Sequence, residues 1–298
     1  MENNKEIFPI STSYPAKRMT WHNSPDNIPY ISEDTLNLAE EVPLALVYNG
    51  LDYAVMMITP HNITDFVIGF SLTEGLVQSP SDIKLLSVTS AAGSLRADIR
   101  VGAEALRIVL ARTRRPIAGR TGCGICGSDM DSLLQRGQKS ITGYTPEFSA
   151  IRSAVMNLRQ HQTLNAGIGM LHAAAWCTVN GQITFTREDV GRHNALDKLI
   201  GYGLNNNYDF TNGFCLLTSR CSYEMATKAI TAGMSALVSL SAPTALALRT
   251  AQQAGLVLVA PVKSDHLCIF SPTTLNSDLA TSNNSAPQQN QHAQITEL

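Results

Sequence analysis

Two cysteines in a Cys-x-x-Cys spacing, Cys123 and Cys126, are the residues of this chain best able to do chemistry. They lie in the stretch Arg-Thr-Arg-Arg-Pro-Ile-Ala-Gly-Arg-Thr-Gly-Cys-Gly-Ile-Cys-Gly, residues 112–127. Glycines at 119, 122, 124 and 127 interleave with them and leave the backbone open to close approach. Arg112, Arg114, Arg115 and Arg120 bring positive charge, and a short helix is expected from Ser128 to Arg136, directly after Cys126. Cationic neighbours and a helix N-terminus both favour thiolate over thiol. A thiolate on an open loop is what sulfur exchange with a second protein requires. The pair by itself leaves four readings open: a redox couple, half of a zinc site, a persulfide carrier, or coincidence.

Zinc would need two more ligands, and the chain has no second Cys-x-x-Cys and no His-x₃-His. No structural metal is expected. The zinc deaminase signature pairs His-x-Glu with a downstream Pro-Cys-x-x-Cys. Here His172-Ala173-Ala174 lacks the glutamate, and the cysteine pair lies upstream and follows Gly122. A thioredoxin-like pair would sit between a strand and a helix of an early βαβ unit, whereas this one lies mid-chain among glycines. Of the other cysteines, Cys177, Cys215 and Cys268 read as inert core residues, and Cys221 is less settled because it follows Arg220 at a strand end.

Several polar residues could bind a ligand. Arg187 to Lys198 is dense in charge, and its plainest reading is an exposed helix start capped by Asp189. His193, beside Arg192 and two acids, could instead hold a polar ligand. His172 precedes a run of alanines and reads more simply as a satisfied core histidine. Ser219, Arg220, Ser241, Thr244 and Lys263 all follow expected strands, and in open α/β sheets ligands gather at carboxyl ends. Hydroxyls and a helix start at Pro243 could hold a phosphate.

The elements that must position these groups follow from pattern. Val42–Tyr48 and Leu51–Ile58 flank Asn49-Gly50, a hairpin signal. Thr59-Pro60 should cap a helix running to Glu74 and stopping at Gly75. Lys84–Thr89, Leu95–Val101 and Ala105–Ala111 look strand-like. Beyond the cysteines, Phe148–His161 has helical spacing, and Ala173–Val179 with Gln182–Phe185 forms a second hairpin around Asn180-Gly181. Helices at 189–204, 222–232 and 243–254 then alternate with strands at 214–218, 236–240 and 256–262. Alternation of this kind defines an α/β layered sheet with helices packed on it. Residues 1–34 read as a flexible N-terminal arm, 35–111 as an α+β, β-rich region, and 112–142 as the cysteine loop with its short helix. The main domain then spans 143–273, and 274–298, rich in Asn, Gln and Ser, forms a disordered tail.

With 44% hydrophobic and 15% charged residues the chain can bury a sizeable core. A net charge of −2 argues against general nucleic-acid binding. The long uncharged stretch 229–248 contains Gly233 and Pro243 and reads as helix end, strand and helix start, not as a membrane span. The N-terminus carries no basic start followed by an apolar run, so a cytoplasmic location is expected.

Together these residues resemble the formate dehydrogenase accessory sulfurtransferase family. The resemblance rests on Gly-Arg-Thr-Gly-Cys-Gly-Ile-Cys-Gly at 119–127, His172-Ala173-Ala174, and the run from Glu188 to Lys198. Arg220 with Ser222-Tyr223-Glu224, the stretch Ser239 to Thr244, Thr59-Pro60 and Thr73-Glu74-Gly75 extend it. It implies a cytidine-deaminase-like main domain without zinc, dimerisation, and a sulfur carrier fed by a cysteine desulfurase. The carrier would pass sulfur to the molybdenum bis-molybdopterin guanine dinucleotide cofactor before its insertion into formate dehydrogenase. It places the persulfide on Cys123 with Cys126 as partner. It also places a cofactor-binding stretch on Pro261, Val262, Lys263, Ser264, Asp265 and His266. Two features depart from the family pattern: Asp265 makes that stretch less basic, and Met170-Leu171 replace a glycine-rich approach to His172. A non-catalytic cofactor chaperone and a thiol-disulfide oxidoreductase are the alternatives.

Overall fold

A computed structural model describes residues 8–20, 30–91, 93–113, 140–262 and 267–270. Cys123, Cys126, the expected helix at 128–136, Lys263, Ser264, Asp265, His266 and the tail 274–298 lie outside the described residues.

The larger unit is a six-stranded mixed sheet built from β7 (His172–Cys177), β8 (Ile183–Asp189), β9 (Phe214–Arg220), β10 (Ala236–Ser241), β11 (Val257–Val262) and β12 (Leu267–Phe270). Its order is β12-β11-β10-β9-β7-β8. Strands β9, β10 and β11 run parallel, while β7 and β12 run against their neighbours. Period-two alternation sends β9 side chains to two different cores. Cys215 and Leu217 join the cluster that also holds Leu196, Leu199, Met225, Ile230 and Ala251. Phe214 and Leu216 join Ile151, Ala154 and Leu158 on the other face. Helices α4 (Arg192–Asn205), α5 (Tyr223–Ala232) and α6 (Ala245–Ala254) therefore cover one face, and α3 (Phe148–His161) covers the other. The α/β layering expected from the alternating pattern is present.

The smaller unit is a four-stranded sheet of β3 (Val42–Tyr48), β4 (Leu51–Ile58), β5 (Ile83–Ala91) and β6 (Ser94–Val101), in the order β4-β3-β6-β5. Asn49 and Gly50 both have positive φ, the geometry that favours Asn-Gly in a tight hairpin. Helix α1 (Ile63–Thr73) packs on this sheet through Phe66, Val67 and Phe70. Its other side lies on α4, where two glycines remove the side chains that would hold the helices apart. A Cβ on Gly69 would stand 1.8 Å from the Asp197 carbonyl oxygen, and one on Gly201 equally close to that of Asp65.

Four local readings are corrected. Residues 103–113 form a helix, α2 (Ala103–Thr113), not a strand, and Ala105 and Val109 are its buried positions, one helical turn apart. Within the stretch read as a flexible arm, β1 (Ser11–Thr20) pairs antiparallel with β2 (Tyr30–Ala39), every residue in register, with Arg18 and Asp34 bridged across it. Helix α1 starts at Ile63 after Asn62, because Thr59 is used elsewhere, as described below. Cys268 is exposed on β12, while Cys177, Cys215 and Cys221 are buried as core residues. Burial pushes the Cys177 and Cys221 thiols up to about 12, so neither supplies a thiolate.

Candidate functional site

The charged run 187–198 is largely buried, not an exposed helix start. Asp189 closes β8 instead of capping α4, whose N-cap is Gly191. Its carboxylate is filled on both oxygens. Oδ1 accepts from the Gly191 N–H at 2.8 Å and from Asn194 Nδ2 at 2.9 Å. Oδ2 accepts from the Thr59 N–H at 3.0 Å and pairs with Lys198 Nζ at 2.7 Å. Thr59 answers with its hydroxyl, which accepts from the Val190 N–H, and its carbonyl, which accepts from Lys198. That commitment is why Thr59 does not cap α1. Burial pulls Lys198 below the usual lysine value, against the attraction of Asp189.

A second buried pair starts at the neighbouring residue of α4. Asp197 accepts from Lys228 Nζ at 2.8 Å and from Thr73 Oγ1 at 2.7 Å. Burial pushes the Asp197 carboxyl up, and Lys228 opposes the shift. Glu74, at the end of α1, lies 3.8 Å from the same ammonium, and its carbonyl accepts from Arg112. A buried charge is tolerated when it is paired and its remaining sites are hydrogen-bonded, and both pairs meet that condition. They bind α1 and the 57–59 strand end to the larger sheet; Asn194 adds a bond to the Met57 carbonyl.

The same run turns outward at the carboxyl edge of the sheet. His172 starts β7 opposite Asp189, and Arg220 ends β9 opposite Ser241 of β10. Because β7 is antiparallel to β8 and β9, its beginning and their ends share one edge. Three helices, α4, α5 and α6, leave strands at this edge, so their partly positive N-termini converge on it. His193, in the first turn of α4, has Nε2 3.9 Å from Glu224 Oε2 in the first turn of α5. The neighbouring His193 imidazole is the main reason that Glu224 is held down at about 2, although at 3.9 Å the two make no direct hydrogen bond. His172 is half-buried, and desolvation and the Arg192 guanidinium push its imidazole below its ordinary value. It is therefore a neutral donor or acceptor at pH 7. The buried Arg192 Nε makes no hydrogen bond.

The edge brings together eight of the residues singled out in the sequence. His172, His193, Arg220 and Ser241 reach it partly or fully open to solvent. Thr244 caps α6 with its hydroxyl, which accepts from the Ala247 N–H, while its own N–H donates to the Cys221 carbonyl. The α6 helix thus starts at Ala245, two residues after Pro243. Ser219 is buried and spends its hydroxyl on the Arg220 carbonyl, so it shapes the strand end and does not face a ligand. Pro261 and Val262 end β11 at the same edge. Sequence reasoning missed the pairing of His193 with Glu224. The available signal was that each lies in the first turn of a helix that directly follows a strand. Among the described residues no group of three His, Cys, Asp or Glu could hold a metal ion, and no helix is long and apolar enough to cross a membrane.

A mixed α/β protein whose cationic and imidazole groups meet at a sheet edge, and whose buried acid–lysine pairs lock an N-terminal unit onto that sheet, defines the structural class. Residues 39–275 match the model of the FdhD/NarQ family, and the chain belongs to that family. It is 40% identical over 243 residues to the sulfur carrier protein FdhD of Cupriavidus necator, covering 81% of this chain and 84% of that one. It is 41% identical over 239 residues to the sulfur carrier protein FdhD of Acinetobacter baylyi, covering 78% and 86%. The fold is similar to the crystal structure of a formate dehydrogenase accessory protein from Desulfotalea psychrophila. The TM-score is 0.66 at 20% identity, covering 88% of this chain and 97% of that one.

Proposed function

We propose that this protein is a sulfur carrier for formate dehydrogenase maturation. It takes sulfur from a cysteine desulfurase as a persulfide on Cys123 and passes it to the molybdenum bis-molybdopterin guanine dinucleotide, its bound substrate. The observation that carries the reading is the sheet edge. Arg220, the unpartnered Arg192 Nε just beneath the surface, two imidazoles and three helix N-termini make the edge suited to a phosphate-bearing substrate. The chain's relatives, named as sulfur carriers, supply the chemistry to put beside it. In this reading Arg192 and Arg220 hold phosphate, neutral His172 orients a substrate group by hydrogen bonding, and Glu224 fixes the His193 ring. Cys126 then receives the sulfur or releases it through a transient disulfide with Cys123. The reading includes a homodimer and a cytoplasmic setting.

The test is intact mass spectrometry after incubation with a cysteine desulfurase and cysteine. An adduct of about 32 Da, one sulfur atom, is expected on the wild type and on Cys126→Ala, and none on Cys123→Ala. Guanosine diphosphate, as a fragment of the substrate, should bind the edge in calorimetry. Loss of the adduct in both single variants equally would favour a thiol-disulfide oxidoreductase. Full activation of formate dehydrogenase by the double alanine variant would reject sulfur transfer and leave a cofactor chaperone.

A further inference from the structure

We propose that Glu188 is a positioning residue: through Asn165 it staples the loop 162–171 to the carboxyl edge and so fixes where His172 meets a bound substrate. The proposal rests on the edge being the substrate site. Glu188 and Asp189 are consecutive in β8, so their side chains leave opposite faces of the strand. Asp189 serves the contact with α1 and α4. Glu188 serves a different structure altogether.

The Glu188 side chain is nearly fully buried. Its Oε1 accepts from the Leu164 N–H at 3.1 Å and its Oε2 from the Asn165 N–H at 2.7 Å. The Thr163 N–H adds a third backbone donor. Asn165 carries the connection back: its Oδ1 accepts from the Leu171 N–H at 2.8 Å, one residue before His172. The Ala173 N–H then donates to Thr218 Oγ1 at 2.9 Å, which returns the chain to β9. The loop thus leaves α3, touches Glu188, and re-enters the sheet beside Glu188, since Ala173 is its register partner.

None of residues 162–170 is buried, so the loop has little apolar packing of its own to hold it. Gly169, at φ +80°, and Gly167 meet nothing within 4 Å where a Cβ would stand. Met170 is exposed. Apart from the buried Leu171 at its end, the staple is therefore the main tie between this segment and the rest of the molecule. Burial pushes the Glu188 carboxyl up, and the three backbone donors and the charge of Lys198, which bonds to the Glu188 main-chain carbonyl, pull it down. A carboxylate taken out of water to hold an otherwise unpacked loop is a costly arrangement, and its one consequence in the fold is the placing of Leu171 and His172.

The experiment uses the full chain, with Glu188→Gln acting at the buried end of the staple and Asn165→Ala acting at its half-exposed end. Asn165→Ala keeps the question open to test should Glu188→Gln fold poorly. Three readouts are taken: hydrogen exchange of the 162–171 segment, the NMR titration of the His172 ring, and calorimetric binding of guanosine diphosphate. Both variants should lose protection across 162–171 and show the His172 titration rising toward the ordinary histidine value. Both should bind the nucleotide about tenfold more weakly while accepting sulfur on Cys123 like the wild type. A wild-type His172 titration with unchanged exchange in Asn165→Ala would overturn the proposal. If the wild type binds no nucleotide, the reading of the edge fails instead, and the exchange and His172 measurements still decide the staple.

Discussion

One short run, Glu188 to Lys198, builds two regions that differ in a single respect. At the contact of α1 with α4 and α5, every polar atom of Asp189 and Asp197 has a partner, and the side chains are closed off from water. At the carboxyl edge, a few ångströms along the same helices, Arg192 Nε makes no hydrogen bond, and His172, His193 and Glu224 stay partly open. Completed networks hold the fold; the incomplete one has capacity left for a ligand. Charge density alone does not tell the two apart.

The sharpest way to break this comparison is to remove a partner on the closed side. Lys198→Met leaves Asp189 buried without its cation and should cost ~3–5 kcal/mol in urea unfolding. A loss below ~1 kcal/mol would mean that the pair does not hold the two units together. Gly201→Ala should cost about 3 kcal/mol, because its Cβ would meet the Asp65 carbonyl and the helices cannot separate without opening both ion pairs. On the open side the same kind of change should behave differently. Arg220→Ala should leave stability within about 0.5 kcal/mol, and weaken guanosine diphosphate about tenfold by calorimetry, the loss of one charge-assisted hydrogen bond. A large fall in melting temperature would place Arg220 in the closed network. The smallest effect concerns pH. Glu224 has a depressed folded value, so the stability it contributes is present above its ordinary value of 4.5 and is lost as pH falls toward about 2. Acid unfolding of Glu224→Gln should therefore be shallower than that of the wild type over that window. Superimposable curves would show that the approach of His193 to Glu224 does not persist in solution.

Much of the fold was legible because its signals are local. Asn49-Gly50 demanded positive φ, the parallel strands of the larger sheet open on apolar runs, and Gly233 and Gly255 end α5 and α6 in the left-handed conformation. What escaped was set by distant partners. Ile108 and Val109 suggest a strand, yet α2 is fixed by burying Ala105 and Val109 on one helical face. The β1–β2 ribbon pairs mostly polar residues, so no apolar period betrayed it. Thr59 looked like a helix cap because nothing nearby reveals Asp189 as its partner. For the site, strand-end position grouped Arg220 and Ser241, which the fold brings to one edge, whereas His172, read more simply as a core histidine, joins them there. Ser219 has the same position but points inward, and no rule based on strand ends separates the two.

The locking of α1 onto α4 also has a consequence for how the chain is made. The Thr59 N–H bonds to a carboxylate 130 residues further on. At the usual pace of translation the ribosome needs roughly 6–26 s to cover that interval. For the part of it that follows synthesis of β6, the four-stranded unit waits with the glycine face of α1 bare and the long-range partners of Thr59 and Thr73 not yet made. The early half of the protein thus keeps an uncovered helix face until the residues up to Lys198 are made, and premature chain termination before Lys198 should yield an insoluble fragment.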